Sequence, residues 1–216
     1  FIHDTWNALN ILIQNASTVG AIDLGFYDIE KNNNFKFFDK LKNKEFKLLY
    51  LVGSDNLEIK KNDEFIIYQG SHGDKNASIA DIILPSAAYT EQNGLFENLE
   101  GRIQECRKAS YPTNKSLEDW KIFNLINKSL NNSNLFLDFL SIRKLALQEI
   151  PNFSGIDSLP KKIKSVKINT SIDATSEKVN IKAIDYYFSN SIARASKTMS
   201  DCRNISKNNK KNGTNI

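Results

Sequence analysis

Acidic, amide and basic side chains gather in one segment that follows a short apolar run. The run, residues 80–84, ends at a proline, which has no N–H to donate to a sheet, so a strand must stop there. Glu91, Glu100 and Arg102 then fall within residues 91–104, among turn-forming Asn and Gly residues. Carboxylates and a guanidinium in a loop at the carboxyl end of a parallel strand can bind a polar ligand or exchange protons.

The same segment also permits a purely structural interpretation. A surface turn and a β-hairpin would use the same Asn and Gly residues, and an Arg–carboxylate pair can join two sides of a loop without a ligand. Two other candidates are weaker. His72 and Asp74 could form an acid–base pair, although a His beside Gly73 in a turn is more often structural. Gly53 and Gly70 follow apolar runs without the spacing of phosphate-binding glycine motifs.

The cysteine content limits the metal chemistry. Cys106 and Cys202 are the only two cysteines, whereas an iron–sulfur cluster needs about four thiolates. His3 and His72 lie at no zinc-ligand spacing to them. Two unpaired cysteines fit a reducing compartment. We therefore expect no metal-binding residue. With the structural interpretations above, we also expect no catalytic or cofactor-binding residue and no cofactor.

Three continuous apolar runs predict the strands that would position the 91–104 loop. They are residues 48–52, 65–68 and 80–84, each followed by Gly or Pro, as is typical of buried parallel strands. The connections are short for full crossover helices, and the second is predicted to be a single turn around 78–80. The pattern indicates an α/β fold with a doubly wound, mostly parallel sheet flanked by helices.

Apolar positions at helical spacing predict an N-terminal and a C-terminal helix. The first would be capped by Asp4 and ended by Gly20 or Gly25, and the last would be capped by Ser191. Their stripes are Trp6, Leu9, Leu12, Ile13 and Ala16, and Ile192, Ala195, Met199, Cys202 and Ile205. The C-terminal stripe is typical of a core or a subunit contact.

The middle of the chain is predicted to hold a hairpin and two helices. Residues 95–96 and 102–107 could pair as strands. Ser116 would begin a helix in a capping box with Asp119, an Asn-rich stretch would end it, and residues 135–150 would form the next helix. The core-facing residues of the first of these helices would be Trp120, Phe123, Ile126 and Leu130.

These elements predict three regions. Residues 1–150 would form a partial α/β domain, and residues 151–206 an extended, irregular segment with a C-terminal helix. Residues 207–216 are of low complexity and are predicted to be a disordered tail.

Composition excludes several function classes. The chain has 216 residues, 40% apolar and 25% charged, which is ordinary for a globular protein with a sizeable core. Its formal net charge is +4, partly carried by the tail, and its lysine clusters lack the interleaved aromatic residues of nucleic-acid surfaces. No apolar run approaches the ~20 residues of a membrane span. We expect no nucleic-acid partner and no direct membrane insertion.

The segment ADIILPSAAYTEQNGLFENLEGRIQ (80–104) resembles the molybdopterin-dependent oxidoreductases, in which such a passage lines the pterin cofactor. The narrower resemblance is to a related family, the large iron–sulfur (75 kDa) subunit of respiratory complex I, NADH:ubiquinone oxidoreductase. It covers roughly residues 6–130 and 181–203. The supporting stretches are LLYLVGSDN (48–56), FIIYQGSHGD (65–74), EDWKI (118–122) and DYYFSNSIARASKTMSDC (185–202).

The resemblance implies a function. The chain would be a cofactor-free structural module of the complex's peripheral arm, belonging to a NADH dehydrogenase without being catalytic itself. Its partners would be other peripheral-arm subunits, including the N-terminal, cluster-binding half of the same subunit. The alternative is the C-terminal piece of a molybdopterin-dependent oxidoreductase, with the 91–104 loop contacting a pterin.

Residue usage bears on origin. The 24 lysines, 27 asparagines and 25 isoleucines, against 5 arginines, indicate an A/T-rich genome, such as that of a protist mitochondrion or an endosymbiotic bacterium. The expected location is the matrix side of the mitochondrial inner membrane, or the cytoplasmic side of a bacterial inner membrane. The sequence opens at Phe1, with Met199 its only methionine, so we expect it to start inside an open reading frame, after processing or because earlier residues are missing. If the missing half is encoded separately, the chain is a fragment of a split subunit.

Overall fold

The computed structural model describes residues 2–3, 6–7, 12–13, 15–26, 35–54, 57, 59–149, 155–158 and 185–211. The chain divides into two compact units, each built from two separate segments. Unit 1 comprises Phe1–Phe46 and Ser86–Thr170, and unit 2 comprises Lys47–Pro85 and Ser171–Ile216.

The described residues form strands and helices that occur in pairs or longer runs along the chain. The strands are β1 (Ile2–His3), β2 (Trp6–Asn7), β3 (Leu48–Val52), β4 (Phe65–Gly70), β5 (Ile82–Pro85), β6 (Gly94–Glu97) and β7 (Ile103–Cys106). The helices are α1 (Thr18–Asp23), α2 (Phe35–Lys42), α3 (Asp119–Asn131), α4 (Phe139–Glu149), α5 (Ser191–Ala195) and α6 (Lys197–Lys211).

Unit 2 contains a three-stranded parallel sheet in the order β3-β4-β5. Each strand comes from one of the predicted apolar runs, and the last strand ends at Pro85, as expected. The central strand is the most buried, with Ile66 and Tyr68 fully enclosed. A single 3-10 turn, Ala77–Ile79, lies between β4 and β5 where one turn was predicted. The α/β fold with a parallel sheet and flanking helices is confirmed.

Strand β5 is not buried, contrary to the prediction from its apolar sequence. Ile82 is 44% and Ile83 54% exposed. Among the described residues the strand pairs with β4 alone, so one of its edges has no neighbouring strand. An edge position leaves both faces of a short strand less covered than a central one.

Unit 1 packs an antiparallel hairpin against a helix. Strands β6 and β7 pair from Gly94 with Cys106 to Glu97 with Ile103, as predicted. Ile103 is 1% exposed and packs against Leu95 and against Ala146 and Leu147 of α4.

The prediction of a helix that contains Trp6 is wrong in the part of the N-terminal segment that the structure describes. Trp6 and Asn7 pair in antiparallel fashion with Ile2 and His3, so Trp6 is extended and not helical. Asp4, the predicted cap, lies outside the described residues. The helix that does form, α1, begins only at Thr18. The remaining predicted stripe positions are either outside the described residues or precede that helix.

Helix α3 begins at Asp119 and not at Ser116 because tertiary pairing claims the intervening backbone. Leu117 forms a parallel bridge with Ser86, and its carbonyl accepts a hydrogen bond from the Ala87 N–H at 2.8 Å. The buried residue of the helix is Ile122, whereas the predicted core residues Phe123 and Leu130 are exposed. Their neighbours Trp120 and Ile126 are partly buried.

The next helix also starts later than predicted, at Phe139 in place of 135, because Asp138 caps it. The Asp138 carboxylate accepts a hydrogen bond from the Ser141 N–H at 2.8 Å.

The C-terminal helix is two helices separated at Ser196, whose backbone is extended. Its cap is Asn190, not Ser191, since the Asn190 side chain accepts a hydrogen bond from the Ala193 N–H at 2.8 Å. Helix α6 reaches Lys211, inside the segment predicted to be a disordered tail, and residues 212–216 lie outside the described part. Most of 151–184 does too, so the boundaries of the three predicted regions stay predictions.

Candidate functional site

The hairpin loop that was the foremost candidate site is closed by its own atoms. The Asn98 side-chain oxygen accepts hydrogen bonds from the N–H groups of Glu100 (3.0 Å) and Arg102 (2.9 Å). Gly101 has φ +81°, a conformation that suits glycine. The loop therefore uses its amide side chain to hold the turn between β6 and β7.

The three predicted ligand-binding side chains are not brought together. Glu91 accepts a hydrogen bond from the Ala88 N–H at 3.0 Å, which closes the 3-10 turn Tyr89–Glu91. Glu100 is exposed. Arg102 keeps its Nε buried without a hydrogen-bond partner. Within the described residues no hydrogen bond or ion pair joins these three side chains.

An open cleft of about 260 Å³ lies beside this hairpin in unit 1. Its walls are largely aromatic and apolar, with a few polar groups. They comprise Tyr89, Gln92, Asn93, Gly94, Phe96, Asp119, Trp120, Phe139 and Ile142.

The polar groups of the cleft bind one another or the backbone. The Gln92 amide donates to the Asp119 carboxylate at 3.0 Å and accepts from the Asp119 N–H at 3.2 Å. The Asn93 side chain accepts from the Lys108 N–H at 3.0 Å. These bonds fix the start of α3 against the hairpin, and they engage both ends of the Gln92 amide and the Asn93 side-chain oxygen.

Glu118, which precedes α3, is 3% exposed and receives three side-chain donors. They are Lys108 Nζ at 3.1 Å, Trp120 Nε1 at 3.1 Å and Lys121 Nζ at 3.2 Å. Burial raises the pKa of this carboxyl, but the hydrogen bonds from Trp120, Lys108 and Lys121 outweigh it and hold the pKa below its ordinary value. Glu118 is thus an ionised, structural carboxylate.

Glu97, on β6, is a buried carboxyl whose pKa is shifted in the opposite direction. It is 5% exposed, and its Oε2 has no hydrogen-bond partner. Burial raises the pKa of Glu97 to about 7, and Asp23 on α1 contributes through its negative charge and through a hydrogen bond. A carboxyl with such a pKa can carry a proton near neutral pH.

The weaker candidates of the sequence fall into structural roles. The exposed His72 ring lies 2.9 Å, through Nδ1, from the Ser71 hydroxyl. Asp74 forms an ion pair with Arg194 of α5, and the two side chains are 18% and 16% exposed. This pairing accounts for Asp74 without any role for His72.

The glycines and cysteines show no site either. Gly53 has φ +58° at the end of β3 and turns the chain, and Gly70 lies in β4 opposite Pro85. Cys106 is a partly buried free thiol and Cys202 an exposed one. The described residues contain no cluster of three or more His, Cys, Asp or Glu side chains able to hold a metal.

Few polar side chains of the 91–104 loop are free to bind a pterin. Recognition of a polar ring requires several converging donors and acceptors. Here Glu91 and Asn98 bind the protein's own backbone, and Gln92 binds Asp119. The Arg102 Nε and the Glu97 Oε2 are the two buried side-chain atoms of this loop that have no hydrogen-bond partner.

Sequence reasoning missed the buried carboxylates Glu97 and Glu118 of unit 1. Leu95 and Glu97 are two positions apart on β6, so their side chains lie on the same face of the strand. Leu95 packs in the core, and the alternation of the strand therefore predicts that the Glu97 carboxyl also faces inward. Glu118 had a signal in the nearby basic and aromatic residues, but the long-range partner Lys108 becomes visible only in the fold.

No helix in the described ranges is long and apolar enough to cross a membrane.

Comparison with known proteins gives two family matches. The sequence model of the family described as molybdopterin oxidoreductase matches residues 2–129. A second model, which describes the C-terminal region of the G subunit of NADH-ubiquinone oxidoreductase, matches residues 157–202.

Curated proteins with similar sequences carry related names. The NADH-ubiquinone oxidoreductase 75 kDa subunit of Reclinomonas americana is 34% identical over 94% of this chain and 29% of its own length. The mitochondrial NADH-ubiquinone oxidoreductase 78 kDa subunit of Candida albicans is 34% identical over 91% and 28%. The G subunit of the NADH-quinone oxidoreductase of Rickettsia bellii is 38% identical over 93% and 28%. The chain therefore spans less than a third of the length of these relatives.

Proposed function

The chain belongs to the molybdopterin oxidoreductase family, and from that premise we propose that it is a structural, cofactor-free module of the peripheral arm of respiratory complex I. In this role it supports the electron-transfer subunits of a NADH:ubiquinone oxidoreductase without taking part in the chemistry. The similarity to 75 and 78 kDa subunits over more than nine-tenths of the chain supports the assignment to such a complex.

The observation that carries the structural role is the use of polar atoms in the 91–104 region. Glu91 caps a turn, Asn98 closes the hairpin, and Gln92 binds Asp119 at both ends of its amide. A side chain that satisfies the protein's own backbone is not free to recognise a ligand, because breaking that bond would leave a donor unpaired. This favours a scaffold built on a cofactor-binding fold.

The partners and location follow as parts of the same proposal. The chain binds other peripheral-arm subunits, among them the N-terminal iron–sulfur half of the same subunit, which we propose is a separate product of a split gene. It lies on the matrix side of the mitochondrial inner membrane. The mitochondrial relative of Candida albicans supports this location, and the Rickettsia relative supports the alternative, the cytoplasmic side of a bacterial inner membrane.

A second candidate function rests on one residue. The buried, unpartnered Nε of Arg102 is a donor that a bound group could satisfy, and it favours the C-terminal piece of a molybdopterin-dependent oxidoreductase. In that case the 91–104 loop would contact a pterin.

Affinity purification through a tag on this chain separates the two functions. Mass spectrometry should identify NADH dehydrogenase subunits, and elemental analysis should find no molybdenum or tungsten in proportion to the chain. One molybdenum or tungsten atom per copy would reject the structural proposal. An Arg102→Lys variant is the accompanying control, because a pterin contact would lower metal content while a scaffold residue would leave it unchanged.

A further inference from the structure

The cleft of unit 1 lies where three elements meet. The hairpin and the residues before it supply one wall, the start of α3 supplies the second, and the first turn of α4 supplies the third. Four of the nine lining residues are aromatic, namely Tyr89, Phe96, Trp120 and Phe139. Aromatic side chains are enriched where proteins contact one another, so the cleft has the composition of a contact surface.

The size of the cleft fits one side chain of a partner protein better than a cofactor. Its volume of about 260 Å³ is below the roughly 300–1,000 Å³ of pockets that enclose small molecules. Its surroundings are apolar and exposed: Leu140, next to Phe139, is 63% exposed, and Phe123, on the same face of α3 as Trp120, is 40% exposed. At the centre of an interface, a pocket with such surroundings commonly receives one anchoring side chain.

The charge of the cleft favours a cationic side chain. Asp119 is the one charged residue among the nine that line it. Its carboxylate lies 3.0 Å from the Gln92 amide nitrogen, at the wall that both residues form. A carboxylate has about four acceptor positions, so it can receive a further donor while it keeps this bond. The faces of the aromatic rings carry partial negative charge as well.

Two lysines of unit 1 that could have supplied this cation are bound to a different carboxylate. Lys108 and Lys121 donate to the buried Glu118 at 3.1 and 3.2 Å, and neither lines the cleft. Lys121 also lies over the Trp120 ring, 5.4 Å from its centroid. That distance is within the range of a cation–π contact, so this ring already attracts a cation outside the cleft.

We propose that the cleft binds an arginine side chain of another subunit of the complex. A guanidinium is planar and permanently charged, so it can stack on an aromatic ring and donate to a carboxylate at the same time. Lysine offers a charge without a plane to stack. The inference rests on the proposed function, because the complex supplies the subunit that carries the arginine.

Site-specific photo-cross-linking in the assembled complex tests the proposal. Benzoylphenylalanine at Tyr89, which lines the cleft and is 61% exposed, should cross-link to a peptide of another NADH dehydrogenase subunit, and that peptide should contain an arginine. Tyr111 is the matched control, since it belongs to the same unit and is 77% exposed but does not line the cleft. Cross-links from Tyr111 should not reach that peptide.

Neutralising the carboxylate tests the part played by charge. Asp119→Asn keeps the size of the side chain and an oxygen that can accept from Gln92, but it removes the negative charge. The cross-linking yield at position 89 should fall roughly tenfold, because a charged hydrogen bond to the guanidinium is lost. Glu100→Gln, which neutralises an exposed carboxylate outside the cleft, should leave the yield unchanged. Equal yields in the two variants would overturn the proposal.

A change in the partner gives a test that leaves the folding of this chain untouched. Replacing the identified arginine by Gln should lower the yield at position 89 by a similar factor. Combining that change with Asp119→Asn should lower it little further, because either change removes the same contact. Two reductions that multiply would show that the arginine does not bind at Asp119, and would overturn the proposal.

The cross-linking outcomes also separate this inference from the proposed function. Cross-links from Tyr89 to a peptide without arginine, to the N-terminal part of the same subunit, to a second copy of this chain or to nothing would overturn the arginine site while the proposed function stands. Purified assemblies that contain no NADH dehydrogenase subunit would reject the proposed function itself.

Discussion

Glu118 and Glu97 are two buried carboxyls of unit 1 whose surroundings shift their pKa values in opposite directions. Glu118 meets three N–H donors, two of them on lysines, so its charged form is favoured. Glu97 is buried beside another carboxyl, Asp23, so its charged form is disfavoured. The stability of unit 1 should therefore depend on pH in opposite directions at these two residues, and that dependence can be measured.

Replacing Glu118 by Gln should lower the stability of unit 1 by about 1–3 kcal/mol at pH 7, because lysine charges lose a buried partner. The folded-state pKa lies below the ordinary value of 4.5, so this contribution is present above pH 4.5 and is lost as pH falls through the lowered pKa. Thermal unfolding of the purified assembly, followed by Trp fluorescence, measures the difference. The exposed Glu100→Gln is the control, and an equal shift in both variants would contradict the prediction.

Replacing Glu97 by Gln should produce the reverse pH dependence. Its pKa is raised from 4.5 to about 7, so wild-type stability is full below pH 4.5 and declines as pH rises from 4.5 to 7. The Glu97→Gln variant cannot ionise at this position and should be the more stable protein at pH 8, by about 1–3 kcal/mol. Hydrogen exchange of the β6–β7 hairpin at pH 5 and pH 8 checks this. If protection of the wild type does not decrease relative to the variant between these pH values, Glu97 is solvated.

At the scale of elements, the C-terminal helices are held by a small number of charged contacts. Arg194 forms the ion pair with Asp74 and also donates to the Phe188 carbonyl at 3.1 Å. Arg203 forms an ion pair with Asp185 at 2.5 Å and lies over the Phe188 ring, 4.5 Å from its centroid. Because α5 has five residues, it depends on such contacts and cannot persist as an isolated helix.

Arg194→Met should therefore loosen α5 while leaving the sheet intact. Loss of the charge leaves Asp74 partly buried without its partner, at a cost of about 1–3 kcal/mol. Hydrogen exchange should rise across 186–200 and stay unchanged across 48–70. Arg107→Met serves as the control, since the Arg107 side chain is 85% exposed and its ion pair with Glu105 is long, at 3.5 Å. Similar exchange in the two variants would count against a special role for Arg194.

The sequence was informative where local signals and tertiary structure agree. Continuous apolar runs ended by Gly or Pro located β3, β4 and β5, and the Asn–Gly turn chemistry located the hairpin. Sequence-based prediction failed where long-range pairing decides a boundary. The bridge between Leu117 and Ser86 makes α3 begin later than predicted, and the pairing of β1 with β2 holds Trp6 in an extended conformation. The candidate site also failed to form, because nothing local distinguishes a carboxylate that caps a turn, such as Glu91, from one that binds a ligand.

At the scale of the whole molecule, the chain corresponds to one portion of its longer relatives. It matches less than a third of its relatives' length, and the sheet of unit 2 exposes several large apolar residues, namely Leu48, Val52, Phe65, Ile82 and Ile83. Exposed apolar surface of this kind favours association with a partner or, in its absence, aggregation.

Expression of the chain alone should accordingly give insoluble or aggregated protein. Co-expression with the N-terminal part of the subunit should give a stable complex, which size-exclusion chromatography with light scattering would detect. A monodisperse monomer that unfolds cooperatively without any partner would count against the proposal of a split subunit.

Substituting both Cys106 and Cys202 by Ser should leave the iron content of the assembled complex unchanged. Neither thiol lies in a metal-binding cluster within the described residues. Electron paramagnetic resonance of the assembled variant, normalised to complex content, should show every iron–sulfur signal of the wild type. Loss of one signal would identify a cluster ligand in this chain.

The ion pair between Asp74 and Arg194 joins residues 120 positions apart, whereas the strands of unit 2 are neighbours in sequence. Closing a long loop costs more chain entropy than closing a short one, and segments made early during synthesis can fold before later ones emerge. The sheet, complete by Pro85, can thus form on the ribosome well before Arg194 is translated. The C-terminal helices are then the last part of unit 2 to dock, and the Asp74 carboxylate waits for its partner until residue 194 has been made.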